Sequence, residues 1–233
     1  MDVDILMRKR LNRLRGMGTY QRVEAGTRTP SPEYLLHLAQ LLGLAESEYV
    51  AIHLELYGVE PTHSLDPASG LEVVSAWRKV VEAQQDMAYL TDRRYNLLFH
   101  NEAFAAMFPS GQPPQNTMEW MILDDEARDF CLVDWEREWA SRAIPQFRMA
   151  LASQPRDPVL NRIHEGILRD ERARKIYDGS ADVYLHPDGE RRPLHHARRG
   201  RGWVEMVAGQ PLSSPGARFM LVMFEEGQQG ARI

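Results

Sequence analysis

The sequence predicts a small, mainly α-helical N-terminal domain followed by an α+β domain, in which a helical insertion interrupts an antiparallel sheet. Apolar residues recur at helical spacing from Pro32 to Tyr57. Segments typical of strands occur at Met87–Leu90 and Tyr95–Phe99 and return only in the last quarter of the chain. The long segment between these strands is apolar at helical spacing, so early and late strands are expected to close one sheet.

Composition narrows the class of protein. The 233 residues have room for one or two domains, and 43% hydrophobic with 26% charged residues is typical of a globular protein. No apolar run approaches the ~20 residues that a membrane span needs, and the charged Arg8-Lys9-Arg10 does not resemble a secretory signal. The single cysteine, Cys131, excludes an internal disulfide and is expected to be a packed thiol. We therefore expect a cytoplasmic protein without a membrane partner.

Two helical signals surround a turn between Gly18 and Leu44. Gly26 suits the left-handed position that follows a helix end. Ser31-Pro32 restarts a helix, because serine is a good N-cap and proline loses no useful donor at the first helical position. A short polar helix, a turn and an amphipathic helix form the arrangement of a helix-turn-helix DNA reader. The alternative is an ordinary helical hairpin.

The run Y-Q-R-V-E-A-G-T-R-T-P-S-P-E-Y-L-L-H-L-A-Q-L-L-G-L resembles the second half of an XRE-type (lambda-repressor-like) helix-turn-helix domain. This resemblance implies double-stranded DNA as a partner. The residues expected to face DNA are Thr19, Tyr20, Gln21, Arg22 and Arg28, the last at a phosphate. A local excess of arginine over acidic residues from Ile5 to Arg28 supports phosphate contact.

The reader domain is predicted to be shortened. The resemblance implies two helices before the reading helix, whereas residues 1–18 have room for one, over Val3–Leu14, and a turn. A deletion, a truncated start or a segment outside this sequence would each explain the shortage. The predicted domains are an incomplete helix-turn-helix at 1–60, a linker and bridging helix at 61–86, and a ligand-binding domain at 87–226. The bridging helix is expected to start at a capping box of Ser69 and Glu72.

The second domain opens with two strands that turn at Asp92-Arg93-Arg94, followed by Asn101 as a helix N-cap, the opening of a PAS-type fold. A short apolar helix is predicted at Thr117–Leu123. A long helix from Asp124 to Ala152 should kink or split at Pro145, and Asp157-Pro158 should start another. Asp188-Gly189 is expected to form a type I′ hairpin turn. The late strands are predicted at Ala181–His186, Arg192–His196, Trp203–Leu212 and Ala217–Phe224.

The order of motifs in this domain resembles the ligand-binding domain of MmyB-like transcription regulators, which is PAS-like. The resemblance rests on Y-N-L-L-F-H-N-E-A-F-A-A-M-F, N-T-M-E-W-M-I-L-D-D-E-A-R, V-D-W-E-R-E-W-A, D-P-V-L and P-L-H-H-A. It implies a cytoplasmic, dimeric regulator whose PAS-like domain holds a small apolar ligand, with fatty-acid-like molecules suspected. No other cofactor is expected. The alternative is a ligand- or protein-binding PAS-type module with a non-functional helix-turn-helix.

Aromatic and apolar residues of the helical insertion are the candidate ligand contacts, since ligand pockets are mostly apolar. They are Phe104, Phe108, Trp120, Met121, Phe130, Trp135, Trp139 and Phe147. Tyr89, His164, Arg192 or His195 could supply a polar end for a carboxylate. Each aromatic residue could instead be ordinary core. Arg192 also belongs to a basic cluster, from Arg191 to Arg201, that is expected to be a solvated hairpin edge.

Neither catalysis nor metal binding is expected. His195 and His196 are adjacent, so on a strand they point to opposite faces. His164-Glu165 lacks the H-E-x-x-H spacing of a zinc site. The acids from Asp124 to Asp129 are expected at a helix start, where they complement the helix dipole.

Overall fold

Local capping signals set the ends of the N-terminal helices. The computed structural model describes residues 18–61, 64–65, 71–180, 187–212 and 214–227, with side chains from residue 20 onward. Helix α1 spans Gly18–Glu24, α2 spans Pro32–Leu42 and α3 spans Glu46–Tyr57. Ser31 Oγ accepts a hydrogen bond from the Tyr34 amide, and Gly43 ends α2 at a φ of 67°. Both predicted caps of α2 are confirmed.

Helices α2 and α3 share a small core of Leu35, Ala39, Tyr49 and Leu65. His53 is buried beside it, with Nδ1 2.8 Å from the Val59 carbonyl oxygen. Leu56 at the end of α3 is 40% exposed, so not every apolar residue of this helix faces the core. These helices lie in the compact unit Met1–Ser69. The helix predicted at Val3–Leu14 falls outside the described residues.

The second compact unit, Gly70–Ile233, is built on five antiparallel strands in the order β2-β1-β5-β4-β3. Early and late strands therefore close one sheet, as predicted for this α+β domain. The strand predicted at Ala181–His186 lies outside the described residues. The strands are β1 (Met87–Thr91), β2 (Leu97–His100), β3 (Glu190–His196), β4 (Gly200–Gly209) and β5 (Arg218–Glu226).

One face of this sheet is covered by helix α4, which spans Ala76–Glu82. Val81 packs with Ala88 and Leu90 in a buried cluster, and the ring of Trp77 lies 5.8 Å from that of Phe219. Helix α4 begins later than the predicted capping box would place it. The Ser69 half of that box falls outside the described residues.

The other face of the sheet is covered by the helical insertion. Asn101 and Asp157 cap their helices through side-chain oxygens that accept backbone hydrogen bonds, as predicted. No helix of the described ranges is both long enough and apolar enough for a membrane crossing. The elements are α5 (Glu102–Ala105), α6 (Thr117–Leu123), two π-helices (Ala127–Cys131 and Trp135–Ala140), α7 (Ser141–Ser153), α8 (Pro158–Arg169) and α9 (Glu171–Gly179).

Two backbone predictions are wrong. The chain breaks its helical path at Asp134, whose φ is 52°, and Pro145 lies buried inside α7. The irregularity falls in the wider π turns before Pro145, where Ser141 Oγ and Arg142 Nη1 donate to the Arg137 carbonyl. The Asp188-Gly189 turn is not type I′, because only its glycine has a positive φ.

Candidate ligand cavity

A cavity of about 360 Å³ lies between the sheet and the helical insertion. Its size is within the range of about 300–1,000 Å³ that is usual for small-molecule sites. The strands supply Tyr89, Thr91, Arg192, Leu194, Met206, Ala208, Gly209, Arg218, Met220 and Val222. The helices and connections supply Tyr95, Phe104, Met107, Thr117, Met118, Trp120, Met121, Leu132, Trp139, Ala143, Gln146 and Gln210.

Strand register places the sheet residues on one face. Alternate residues of a strand share a face, so Arg218, Met220 and Val222 of β5 line the cavity together. Tyr89 on β1 pairs with Met220, and Thr91 pairs with Arg218. The intervening Phe219 packs on the α4 side. The cavity therefore depends on residues that are distant in sequence and brought together by strand pairing.

The cavity walls are mostly apolar, with aromatic rings in contact with one another. The rings of Tyr89 and Phe104 lie 4.5 Å apart between centroids. Behind them, Phe108 is 5.1 Å from both Phe104 and Trp120. Trp139 donates its Nε1–H to the Pro193 carbonyl at 3.0 Å. These contacts hold the aromatic walls in place and satisfy the Trp139 donor.

Two arginines line the cavity in different electrostatic settings. Arg192 is buried, and its Nη2 lies 2.5 Å from Glu190 Oε2. Glu190 is also paired with Arg142 at 2.7 Å. Arg218 makes no ion pair with any described residue, and its guanidinium lies 4.8 Å from the centroid of the Tyr95 ring. The positive charge of Arg192 is therefore balanced within the protein, whereas the structure shows no such balance for Arg218.

Tyr95 is held in an unusual backbone conformation. Its φ is 67°, in the left-handed region that bulky residues seldom adopt. Asp92 Oδ1 accepts hydrogen bonds from the amides of Arg94 (2.7 Å) and Asn96 (2.9 Å). Burial raises the pKa of Asp92, and these hydrogen bonds act in the opposite direction. The Tyr95 carbonyl accepts from the Thr117 amide at 2.9 Å, which ties the turn to α6.

The Tyr89 hydroxyl is a neutral donor in the cavity. Burial raises the pKa of Tyr89 to about 12, although Arg192 and Arg218 act to lower it. A phenol with this pKa stays protonated at neutral pH. Tyr89 can therefore donate a hydrogen bond to a ligand without contributing negative charge.

Half of the predicted ligand contacts line the cavity: Tyr89, Phe104, Trp120, Met121, Trp139 and Arg192. Arg192 is buried, in contrast to the solvated position expected for its cluster, because it faces the helical layer beside Leu194. Its neighbours Arg191 and Arg199 are exposed and paired with Glu225 and Glu226.

The other predicted contacts lie elsewhere. Phe130 is 37% exposed and stacks on His195 at 4.2 Å. Trp135 donates to the Met121 carbonyl at 2.8 Å, and Phe147 is fully buried in the core. His164 lies 5.1 Å from the Tyr177 ring. None of these residues lines the cavity, and neither does Phe108. Helical spacing predicts which face of a helix is buried, but it does not predict whether that face borders a cavity.

Tyr95 and Arg218 are the main cavity residues that the sequence reasoning missed. Strand β5 is apolar on both faces, because α4 covers one face and the helical insertion the other. The charged Arg218 in phase with Met220 and Val222 was the available signal. Tyr95 follows a polar turn, where its positive φ could not be foreseen.

The described part of the reading helix presents fewer contacts than expected. Gln21, Arg22 and Arg28 are exposed. Tyr20 is 9% exposed, so its expected place at the DNA surface is corrected to the interior of the helical unit. The side chain of Thr19 lies outside the described residues, as does the basic stretch at 8–15.

The cysteine offers no reactive group. Cys131 is fully buried, and burial, with Glu126 and Asp124 adding to it, raises its pKa to about 12. The thiol therefore stays protonated at neutral pH. Across the described ranges, no three histidine, cysteine or acidic side chains come together as metal ligands would.

Comparison with protein families gives one match. Residues 73–232 match the family model of the MmyB-like transcription regulator ligand binding domain. The matched range covers more than half of the chain and contains every residue that lines the cavity. No curated protein matches the chain.

Proposed function

The chain belongs to the family of MmyB-like transcription regulator ligand binding domains, and on that premise we propose that it is a ligand-responsive DNA-binding regulator. In this proposal the second unit binds an apolar, fatty-acid-like molecule and thereby changes operator affinity. The observation that carries the proposal is the cavity, which has apolar walls, a few polar groups and the usual size of a ligand site. A PAS-like arrangement is supported by early and late strands that close one sheet around the helical insertion.

The proposed reader is the N-terminal unit, acting in a cytoplasmic homodimer. Gln21 and Arg22 would read base edges and Arg28 would hold a phosphate, which their exposure allows. A ligand that alters the spacing of two readers would alter operator affinity, because half-site spacing is a geometric property of a dimer.

Selection of binding sites from random DNA by the full chain, followed by gel-shift titration, tests the reader. Arg22→Ala should weaken binding to the selected site, whereas Arg169→Ala, an exposed arginine of the second unit, should not. Decanoic acid should change the affinity for the selected site. Binding that is salt-labile and indifferent to sequence would count against the proposal.

A second candidate is a ligand- or protein-binding PAS-type module whose helix-turn-helix does not read DNA. The burial of Tyr20 favours it, since one expected DNA contact is lost. The two candidates differ in the selection experiment, which would enrich no sequence for a module of this kind. Native mass spectrometry of the gently purified chain would still show a bound small molecule.

A further inference from the structure

Buried polar atoms at the cavity that have no hydrogen-bond partner among the described residues include the hydroxyl of Tyr95 and Nη1 of Arg218. Tyr95 is 4% exposed, and the Arg218 guanidinium lies against the face of its ring. Both residues line the cavity. Buried polar groups in proteins are nearly always paired, so an unpaired set of this kind requires an explanation.

The explanation must include charge. A guanidinium is always ionised in proteins, and the part of its charge that is withdrawn from water is stable when it is paired. Arg218 as a whole is half-buried, and its Nη1 is fully buried. No acidic residue is found among the described cavity residues. Arg192 does not present the same problem, because Glu190 balances it. The unbalanced positive charge therefore lies at Arg218.

We propose that the cavity takes an anionic amphiphile and that Arg218, with the Tyr95 hydroxyl, binds its charged head group. This inference rests on the proposed function, because it specifies the ligand of the same cavity. A carboxylate accepts two parallel hydrogen bonds from a guanidinium and a third from a hydroxyl. Guanidinium geometry suits this planar group, and the flanking ring restricts the approach.

The position of the pair sets the orientation of the ligand. Arg218 opens β5 opposite Thr91 at the end of β1. The next residue, Phe219, pairs with the exposed Gly209 at the end of β4. Met220 and Val222 follow Arg218 along β5 on the same face of the sheet, which is the face covered by the helical insertion. The head group therefore lies at the end of the cavity that reaches the surface, and the hydrocarbon chain extends between sheet and helices.

The strained turn gives the pair a fixed geometry. Tyr95 is kept at a positive φ by the hydrogen bonds of Asp92, and its carbonyl is tied to Thr117. Strained residues persist where the surrounding structure over-determines them, and they concentrate at ligand sites. The phenol is thus preorganised beside Arg218 before a ligand arrives, which lowers the entropic cost of binding.

Calorimetric titration of the full chain with decanoic acid and with decanol tests the inference, because the two probes differ only in the head group. The acid should bind about 10- to 100-fold more tightly than the alcohol, the usual contribution of a hydrogen-bonded charge. Arg218→Gln should remove most of this preference, because it weakens binding of the charged acid much more than binding of the neutral alcohol. Tyr95→Phe should cost a few-fold for the acid only. Arg201→Gln, an exposed arginine of β4, is the matched control.

The possible outcomes distinguish a failure of the head-group site from a failure of the proposed function. Equal affinity for acid and alcohol, or an unchanged preference in Arg218→Gln, overturns the head-group site and leaves an apolar ligand possible. No binding of either probe, with no adduct in native mass spectra, overturns the proposed function and the site together. Decanol binding reports whether the Arg218→Gln cavity is intact, and Arg218→Lys, which keeps the charge, should retain part of the preference.

Discussion

Two sets of buried polar groups in the second unit differ in whether they have hydrogen-bond partners. Arg128 and Asn101, which lie away from the cavity, are partnered. The Arg128 guanidinium donates to Asp170 and to the Ile122 carbonyl, and the Asn101 side chain makes four hydrogen bonds. At the cavity, the Tyr95 hydroxyl and one nitrogen of Arg218 have no partner among the described residues.

The presence or absence of hydrogen-bond partners distinguishes buried polar groups that stabilise the fold from those available to bind a ligand. A partnered group stabilises the fold, and its loss leaves another buried group unsatisfied. An unpartnered group contributes little to the fold and remains available to a ligand, a recurrent trade between stability and function. Substitutions in the first set should therefore reduce stability, whereas those in the second should reduce binding.

Arg128→Ala should have the largest effect on stability. Its side chain is 3% exposed, lies 2.7 Å from Asp170 and stacks on Trp135 at 4.8 Å. Removing one member of a buried pair leaves the other uncompensated, so we expect a loss of about 3 kcal/mol in the free energy of unfolding. Urea denaturation measures it. Arg137→Ala removes exposed ion pairs and should cost less than about 1 kcal/mol; equal losses for the two variants would refute this distinction.

Asn101→Ala should have the next largest effect, a loss of about 2–3 kcal/mol in the free energy of unfolding. The Oδ1 atom accepts from the amides of Ala88 (3.0 Å) and Phe104 (2.9 Å). Its Nδ2 donates to the carbonyls of Gln84 and Asp86. Asn161→Ala is the control for removal of an amide. It loses two side-chain hydrogen bonds that are less buried than those Asn101 makes to the amides of Ala88 and Phe104. A loss at Asn101 no greater than at Asn161 would show that these bonds do not hold the strands to α5.

Acid should destabilise the chain by a smaller amount through Asp170. Burial acts to raise the pKa of Asp170, but the Arg128 hydrogen bond and the Ala173 amide lower it overall. A lowered pKa adds stability that is present above the ordinary aspartate pKa and is lost as pH falls through the folded value. Asp170→Asn keeps the helix cap and removes the charge. Its unfolding free energy should fall less between about pH 6 and about pH 3 than that of the parent chain; identical slopes would contradict the assignment.

Arg218→Met should have the smallest effect on stability, the opposite of Arg128→Ala. Replacing the half-buried Arg218 guanidinium by an apolar side chain leaves no ion-pair partner uncompensated, because the residue has none among the described residues. The ligand-free variant should therefore unfold within about 1 kcal/mol of the parent, or later, while losing its preference for decanoic acid. A loss of more than about 2 kcal/mol without ligand would place Arg218 in the scaffold.

Local chemistry made much of the fold predictable. The caps at Ser31, Asn101 and Asp157 and the helix Thr117–Leu123 follow from a few adjacent residues, and the structure has all of them. The break near Asp134 was not predictable in this way. It places a non-glycine residue at positive φ between two π-helices, and no sequence signal indicated either.

The candidate site was less predictable than the fold. Aromatic residues of the insertion were grouped by helical spacing, which identifies a buried face but not whether that face meets a cavity. Trp120 and Trp139 line the cavity, whereas Trp135 lies between Arg128 and Arg172. Arg218 joins Tyr95 only through the pairing of β1 with β5, a non-local contact.

A crystal structure of the full chain with decanoic acid tests the central claim most directly. We expect continuous density that starts within hydrogen-bond distance of Arg218 and the Tyr95 hydroxyl and runs between Met220 and the helical wall. Isolated water molecules bonded to these two groups, with no elongated density in the cavity, would contradict it.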